Sequence, residues 1–279
     1  ARASRDGLLK RADIVLERVT PAYVGDMAET TTPGCTGPCP ACRDQGKPVH
    51  PNGQWRWTPS EPNRLTCGAC GTHFPNEAYP ESVRIRSTWD PTQVYSFMGG
   101  DTFRCFSYTQ ARPSLSGIIR ARKFLYLAGE LETLAYAYAL SEKPDYARSA
   151  RMILLRIAEV FPRYTVRAGY GYGEYADCAP HTAAEFIDHL PNDELVYPPN
   201  IPNRSIHTGY WSASRVGTSG MDGDWVIRIT VAYDLTCEAR DTDGSPVFTD
   251  AEKRRIEKDV LLEGSYLAAC DTSINNKSV

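Results

Sequence analysis

The sequence predicts a mainly α-helical protein that carries a small, irregular module held by four cysteines. Long stretches with apolar residues at helical spacing predict the helices, and no strand–turn–strand pattern dominates. Two Cys-x-x-Cys motifs lie in a stretch that is rich in proline, glycine, threonine and asparagine, which predicts the module. We therefore expect three parts: an N-terminal helical segment at 1–29, a zinc-stabilised irregular module at 30–100 and a helical portion at 101–279.

The bulk composition is that of an ordinary globular protein. Hydrophobic residues make up 42% and charged residues 23% of the 279 residues, and the formal net charge is only -3. Because so weak a charge offers no general surface for a polyanion, we expect no nucleic-acid partner. The sequence contains no apolar run long enough to cross a membrane, so we expect no membrane partner. A cytosolic chain and a chain whose signal peptide has been removed both stay open.

The first helix is predicted over residues 5–19. Ala12, Val15 and Val19 follow helical spacing there, and Pro21 limits the continuation of the helix. The stretch from about 30 to 100 then shows little periodicity, which predicts irregular structure that needs an external clamp.

A helical hairpin is predicted beyond Pro113. Apolar residues repeat at i, i+3, i+4 and i+7 from about 114 to 140, and a second wide apolar stripe runs to Phe161, where Pro162 ends it. Because only a short Lys-Pro-Asp turn joins the two helices, we expect them to pack antiparallel.

Residues 163–221 form a long polar and aromatic stretch. Such a stretch in a compact protein is usually disordered or functional, and its many tyrosine, tryptophan, histidine and arginine residues favour function. Helices resume at Asp224, and Trp225 is expected in the core. A further helix is predicted to begin at Thr249, which forms a T-x-x-E capping box with Glu252.

The two Cys-x-x-Cys motifs are the most specific pattern in the chain. Cys39 and Cys42 form one motif and Cys67 and Cys70 the other, with 24 residues between them. Each motif places two thiolates on one tight turn, here called a knuckle, and two knuckles supply four sulfurs for a tetrahedral zinc ion. Four protein ligands leave no open coordination position, so we expect the zinc to be structural.

Several alternatives stay open for the module. Two disulfides in an oxidising compartment would also satisfy the four thiols, and Cys35 can replace Cys39 as a ligand. A zinc ribbon can bind nucleic acid, but basic residues are not dense around Trp55 and Trp57. These two tryptophans either pack over the knuckles or line one end of a glycan cleft.

Four segments, in their order along the chain, resemble the heparinase II/III-like polysaccharide lyases. "CPAC…CGACGTHFPNEAYPE" resembles a zinc-binding insertion of some large members, and "DYARSARMILLRIAEVFPRY" resembles the family's helical hairpin. "SRVGTSGMDGDWVIRITVAYDLT" resembles the segment in which a glycine-containing loop precedes a helix with Ala-Tyr-Asp-Leu. "INNKS" resembles the family's asparagine-rich neutraliser motif. The resemblance covers roughly residues 100–279 and, more loosely, the cysteine module.

The resemblance implies an incomplete (α/α) toroid in this chain and a β-sandwich beyond its end. It also implies a secreted or periplasmic lyase that cleaves an acidic, uronic-acid-containing polysaccharide of the glycosaminoglycan, ulvan or alginate type by β-elimination. The remaining C-terminal part of the same protein is then an expected partner that completes the catalytic site. The chain departs from many members of the family because it has Asn276-Lys277 where they have Asn-His.

The implied chemistry selects candidate site residues. β-Elimination builds negative charge on the uronate carboxylate, and asparagine amides can donate hydrogen bonds to it without titrating. Asn275 and Asn276 suit this role, with Asn276 expected to point into the site, and Lys277 would add positive charge. Substrate binding is expected from aromatic, histidine and arginine side chains that pack on sugar rings or pair with acidic groups: Arg204, His207, Tyr210, Trp211 and Arg215.

Two other functions stay open. A helical-toroid glycoside hydrolase would use paired carboxylates, for which Glu174, Asp177, Asp222 and Asp224 are candidates. A non-catalytic carbohydrate-binding protein would bind saccharide without turnover. The reaction products discriminate among these functions, because only a lyase creates an unsaturated uronate that absorbs in the near ultraviolet.

Overall fold

The structure is a computed structural model, and helices make up most of the residues that it describes, which confirms the mainly α fold class. No helix within the described ranges combines the length and the hydropathy that are needed to cross a membrane. The described residues are 2–27, 37–50, 53–87, 90–100, 103–105, 109–111, 113–164, 175–176, 179–181, 195–196, 215–216 and 222–270.

The described helices follow the predicted order, with additions. They are α1 (Arg2–Arg18), α2 (Pro21–Met27), α3 (Pro40–Asp44), α4 (Leu115–Ser141), α5 (Pro144–Val160), α6 (Asp222–Thr236), α7 (Asp250–Ile256) and α8 (Glu263–Cys270). A 3-10 turn follows α5 at Phe161–Arg163, and the π-helical turn Glu257–Leu262 joins α7 to α8. The sequence pattern predicted α1, α4, α5, α6 and the start of α7, whereas the short helices α2 and α3 and the 3-10 and π-helical turns were not predicted.

The module is more regular than predicted, because short antiparallel strands run through it. The described strands are β1 (Trp55–Trp57), β2 (Leu65–Cys67), β3 (His73–Phe74), β4 (Val83–Arg86), β5 (Val94–Phe97), β6 (Phe103–Cys105), β7 (Thr109–Ala111), β8 (Tyr175–Ala176) and β9 (Leu195–Val196). Within the module, a three-stranded sheet has the order β1-β2-β3 and β4 pairs with β5, while β6 pairs with β7 and β8 with β9 further along the chain. At two to four residues each, they are too short to show a clear alternation in sequence.

Helices α4 and α5 form the predicted hairpin. The Ser114 side chain caps α4 by accepting a hydrogen bond from the Gly117 amide at 3.3 Å. Glu142 ends α4 in the left-handed region, with a φ of 55°, and Pro144 begins α5, where its missing N–H costs no helical hydrogen bond.

An aromatic cluster forms the centre of the helical core. The Trp225 ring meets the rings of Phe124 and Phe161 edge-on, with centroid distances of 5.0 and 4.8 Å. Tyr164 meets the same two phenylalanines, each at 5.6 Å. Trp225 is only 2% exposed, which confirms the expectation that it belongs to the core. The cluster joins α4, α6 and the end of α5.

The domain boundaries that the sequence suggested, at 29/30 and 100/101, stay predictions.

A buried lysine connects the module to the helices. The Lys123 side chain, on α4, is 1% exposed, and its Nζ donates to the backbone carbonyl of Asp26 at 3.2 Å and to its Oδ2 at 3.3 Å. The same Nζ donates to Oδ1 of Asn63, which lies between β1 and β2, and Asn63 Nδ2 donates to Asp26 Oδ2 at 3.1 Å. This Lys123 bridge therefore holds α2, the β1–β2 loop and α4 together.

A second polar contact joins the β4–β5 turn to the end of α5. Asp90 is 8% exposed and accepts hydrogen bonds from Arg163 Nε at 3.1 Å and from Gln93 Nε2 at 3.0 Å. Burial raises the pKa of Asp90, but hydrogen bonds from Thr92, Arg163 and Gln93 outweigh it and lower this pKa to about 2. The ionised carboxylate is thus the form that the fold favours.

We expect Asp90→Asn to lower the free energy of unfolding by about 2 kcal/mol at pH 7. Because the folded pKa of Asp90 lies below its ordinary value, this stability is present above about pH 4 and is lost as the pH falls through about 2. Urea unfolding at pH 7 and near pH 2 measures the difference. The exposed Asp234→Asn variant is the control and should change stability by less than about 0.5 kcal/mol. An equal loss at both pH values would contradict this account.

Candidate metal centre

The first knuckle is a tight turn at the start of α3. Cys39 directly precedes this helix, and its carbonyl accepts a hydrogen bond from the Arg43 amide at 3.3 Å. The carbonyl of Cys42 accepts from the Lys47 amide at 2.9 Å, which closes the turn. Pro40 is the first residue of α3. An amide at this position has no acceptor within the helix, so the missing N–H of proline costs no hydrogen bond. The knuckle is therefore fixed by the backbone.

The second knuckle follows β2 and depends on two glycines. Gly71 has a φ of 77°, in the left-handed region that favours glycine, and its amide donates to the Cys67 carbonyl at 2.9 Å. A Cβ on Gly68 would lie only 3.0 Å from Arg56 Nε and 3.1 Å from the Gln54 carbonyl. Glycine at both positions lets the chain turn back tightly against β1.

The four thiols of the two knuckles meet in one cluster. The Sγ atoms of Cys39 and Cys70 are 3.7 Å apart, those of Cys42 and Cys67 are 3.6 Å apart, and all four lie within 4.8 Å of one another. A tetrahedral ion with Zn–S bonds of about 2.3 Å would separate its sulfurs by about 3.8 Å. A disulfide requires about 2.05 Å, and the four cysteines are free thiols in this structure. The donor set and its spacing therefore fit a metal ion.

The protonation of these thiols depends on their surroundings. Burial raises the pKa of Cys39 and raises that of Cys42 to about 11. Burial also raises the pKa of Cys70, but its hydrogen bonds with the side chain and backbone of Thr72 and with the neighbouring thiols outweigh burial and lower this pKa to about 6. Two of the thiols are therefore held in their neutral form where they lie, and a bound cation would favour their ionised form.

The two tryptophans of β1 pack around the knuckles. Trp55 donates its indole N–H to the Gly37 carbonyl at 3.2 Å, and its ring meets Phe74 edge-on at 5.5 Å. Trp57 donates to the Pro62 carbonyl at 2.9 Å and packs on Tyr126 of α4 at 5.9 Å. The two alternatives for these tryptophans were packing over the knuckles and lining a glycan cleft, and these contacts support packing.

Most of the other predicted site residues lie outside the described residues. They are Asn275, Asn276, Lys277, Arg204, His207, Tyr210 and Trp211, the alternative ligand Cys35 and the carboxylates Glu174 and Asp177. Two further candidate carboxylates lie in a described helix: Asp222 begins α6, and Asp224 lies in its first turn.

Arg215 is described, and it is buried. It is 2% exposed, its Nη2 donates to Glu263 Oε1 at 2.6 Å, and its guanidinium lies 5.0 Å from the centre of the Phe161 ring. The other carboxylate oxygen of Glu263 is 2.6 Å from Nε2 of His181, whose ring stacks on Tyr266. Arg215 therefore lies on the buried side of Glu263, and His181 lies on its exposed side.

Sequence reasoning missed His181 and Glu263. The two residues are 82 positions apart, and Glu263 is 48 positions from Arg215, so no local motif links them. The single available signal was the position of His181 within the polar stretch 163–221, which was predicted to be functional.

No protein-family model, curated protein or solved structure matches this chain. The metal centre therefore rests on its own geometry and on the chemistry of its four thiols. The resemblance to the heparinase II/III-like lyases stays a prediction.

Proposed function

We propose that Cys39, Cys42, Cys67 and Cys70 hold one structural zinc ion in a ribbon-like module. The support is the sulfur spacing of 3.6 to 3.7 Å within each close pair, which is near the edge of a zinc–sulfur tetrahedron. Tetrahedral thiolate sites select zinc or iron, and zinc is the ion that stabilises small modules without redox chemistry. Four thiolates fill its coordination shell, so the ion would hold the module together and would not bind substrate.

We further propose that the chain is part of a secreted or periplasmic polysaccharide lyase that acts on a uronic-acid-containing polymer. The observation that carries this proposal is the order of four lyase-like segments along the chain. The α4–α5 hairpin, its packing on α6 and the attachment of the cysteine module to α4 are compatible with part of an (α/α) toroid that bears a metal-binding insertion. The remaining C-terminal part of the protein would complete the site.

The proposed chemistry assigns a role to each group of residues. Asn276, with Asn275 and Lys277 beside it, would stabilise the charge that develops on the uronate carboxylate. Arg204, His207, Tyr210 and Trp211 would bind the acidic polymer. Arg215 is buried, which favours a supporting role for it over direct contact with substrate.

We expect Asn276→Ala in the full-length protein to lower kcat by about 100-fold or more on a uronate polymer, because a donor to the developing charge is lost. Glycosaminoglycan, ulvan and alginate would be tested separately, with the near-ultraviolet absorbance of the unsaturated product as the measurement. Asn276→Asp is the matched variant: it keeps the shape of the side chain but adds a repelling charge, so it should be at least as impaired.

Other outcomes would point to other functions. Full activity of Asn276→Ala would contradict its role as the neutraliser. Cleavage without an unsaturated product would favour the glycoside hydrolase, and saccharide binding without turnover by the full-length protein would favour the carbohydrate-binding protein.

A further inference from the structure

Three ionisable side chains form a cluster at the start of α8, and their exposure to solvent decreases from one to the next. Going inward from solvent, the exposed fraction of the side chain is 55% for His181, 13% for Glu263 and 0% for Arg215. Glu263 bonds to both neighbours, one through each carboxylate oxygen, and both distances are 2.6 Å. An accessible imidazole is therefore backed by a carboxylate that a buried guanidinium holds in place.

The charges in this His181–Glu263–Arg215 cluster define which imidazole nitrogen is basic. Burial raises the pKa of Glu263, but the charge of Arg215 and the hydrogen bonds from His181 and Arg215 outweigh it and hold this pKa below its ordinary value. An ionised carboxylate can only accept, so His181 donates from Nε2–H, and in its neutral form the Nδ1 atom is the proton acceptor. Among the described residues, Glu263 and Tyr266 are the titratable groups in contact with His181, and Arg215 lies beyond Glu263.

The local packing holds the imidazole in a fixed plane. Tyr266, three positions after Glu263 on α8, stacks on the His181 ring with a centroid distance of 4.2 Å and an interplanar angle of 18°. Gly264 lets α8 approach α6 closely, since a Cβ there would lie 2.9 Å from Val226 Cγ2. The π-helical turn that ends just before Glu263 is a feature that recurs at functional sites.

We propose that His181 is a catalytic base of this protein, and that Glu263 and Arg215 are positioning residues that act through it. The inference rests on the proposed lyase function for the identity of its substrate, a polymer-linked uronate. A proton acceptor that is exposed, held in one tautomer and backed by a carboxylate has the arrangement that general base catalysis requires.

The step that we assign to His181 is the removal of the proton on C5 of the uronate. Nδ1 takes this proton, the C5–H electron pair forms the C4–C5 double bond, and the C4–O bond breaks. Its electron pair leaves with the oxygen, which takes a proton from water. The hydroxide that remains takes the proton from the imidazolium, so His181 is regenerated and nothing is oxidised or reduced overall. The imidazolium that forms is stabilised by the Glu263 carboxylate, which is already ionised.

The first test is His181→Gln in the full-length protein. We expect kcat for formation of the unsaturated product to fall by about 100-fold or more, with KM changed less than about threefold. Because more than half of the His181 side chain is exposed, the midpoint of thermal unfolding should stay unchanged. His73→Gln is the matched control: His73 is an exposed histidine on β3, where it contacts Thr66, and this variant should keep full activity.

The second test is Glu263→Gln, which keeps the shape of the side chain and removes its charge. We expect kcat/KM to fall about tenfold or more, and the acid limb of its pH profile to move to lower pH, because the imidazolium loses its partner. A purely structural role for Glu263 would lower the unfolding midpoint without moving this limb. Glu257→Gln, in the preceding π-helical turn, should leave the pH profile unchanged.

The outcomes separate the two proposals. An active wild type with a His181→Gln variant that is equally active would overturn the role of His181 and leave the lyase function intact. Absence of turnover by the wild type on every uronate polymer would overturn the lyase function and, with it, the reaction assigned to His181.

Discussion

Cys67→Ser is expected to abolish zinc binding and to unfold the cysteine module. Serine offers a neutral hydroxyl where the ion needs a thiolate, and three sulfurs do not complete the tetrahedron. Structural zinc contributes about 10–16 kcal/mol of apparent binding free energy, which in such modules is folding free energy. Among the described residues of the module, few apolar side chains other than the cysteines are buried, Leu65 and Phe74 among them, so little is left to replace this contribution.

Metal analysis and thiol counting on the purified protein would check this expectation. The wild type should bind about one zinc ion per chain, and Cys67→Ser should bind none and lose the near-ultraviolet circular dichroism of Trp55, which packs beside the knuckles. Cys237→Ser is the matched control, since Cys237 is a half-buried free thiol outside the cluster, and it should keep the ion. A wild type with no zinc and two intact disulfides would refute the metal centre.

Trp225→Ala should give the largest loss of stability among substitutions in the helical core. The indole is 2% exposed and fills the space between Phe124 and Phe161, so its removal leaves a cavity at the contact of α4, α6 and the end of α5. Truncation of a buried tryptophan costs about 3–5 kcal/mol, which is a large part of the total stability of a typical domain.

Denaturant unfolding followed by far-ultraviolet circular dichroism measures this loss. The control is Ile227→Ala on the same helix, because Ile227 is 47% exposed and its truncation should cost less than about 1 kcal/mol. Equal effects of the two substitutions would mean that the aromatic cluster does not stabilise the helical core.

Where a pattern was local and long, the sequence was sufficient to predict the structure. The apolar stripes predicted α4 and α5 because a buried helical face repeats every three to four residues over many turns. Thr249 and Glu252 predicted the start of α7 because a capping box is satisfied within four residues, and both of its hydrogen bonds are present. The clustering of the four cysteine thiols was predicted for the same reason, because the spacing within each Cys-x-x-Cys motif holds its two thiols close together.

Where structure depends on distant partners, the sequence was insufficient. The strands β1 to β3 contain two or three residues each and are defined by their pairing, which single-strand patterns do not reveal. Arg215 was a candidate for substrate binding because of its residue type, but its burial is a property of the packed core around Phe161. The pairing of His181 with Glu263 likewise depends on how α8 packs, and no periodicity encodes it.

The Lys123 bridge has a consequence for any attempt to dissect the protein. Asp26 of α2 and Asn63 of the β1–β2 loop both bind one ammonium group whose side chain is 1% exposed. A truncation that removes α2 would remove the Asp26 carboxylate and leave the buried Lys123 ammonium without this charged partner. Removal of a charged partner from a buried charge is strongly destabilising. Fragments designed for separate expression should therefore retain α2, the cysteine module and α4 as one piece.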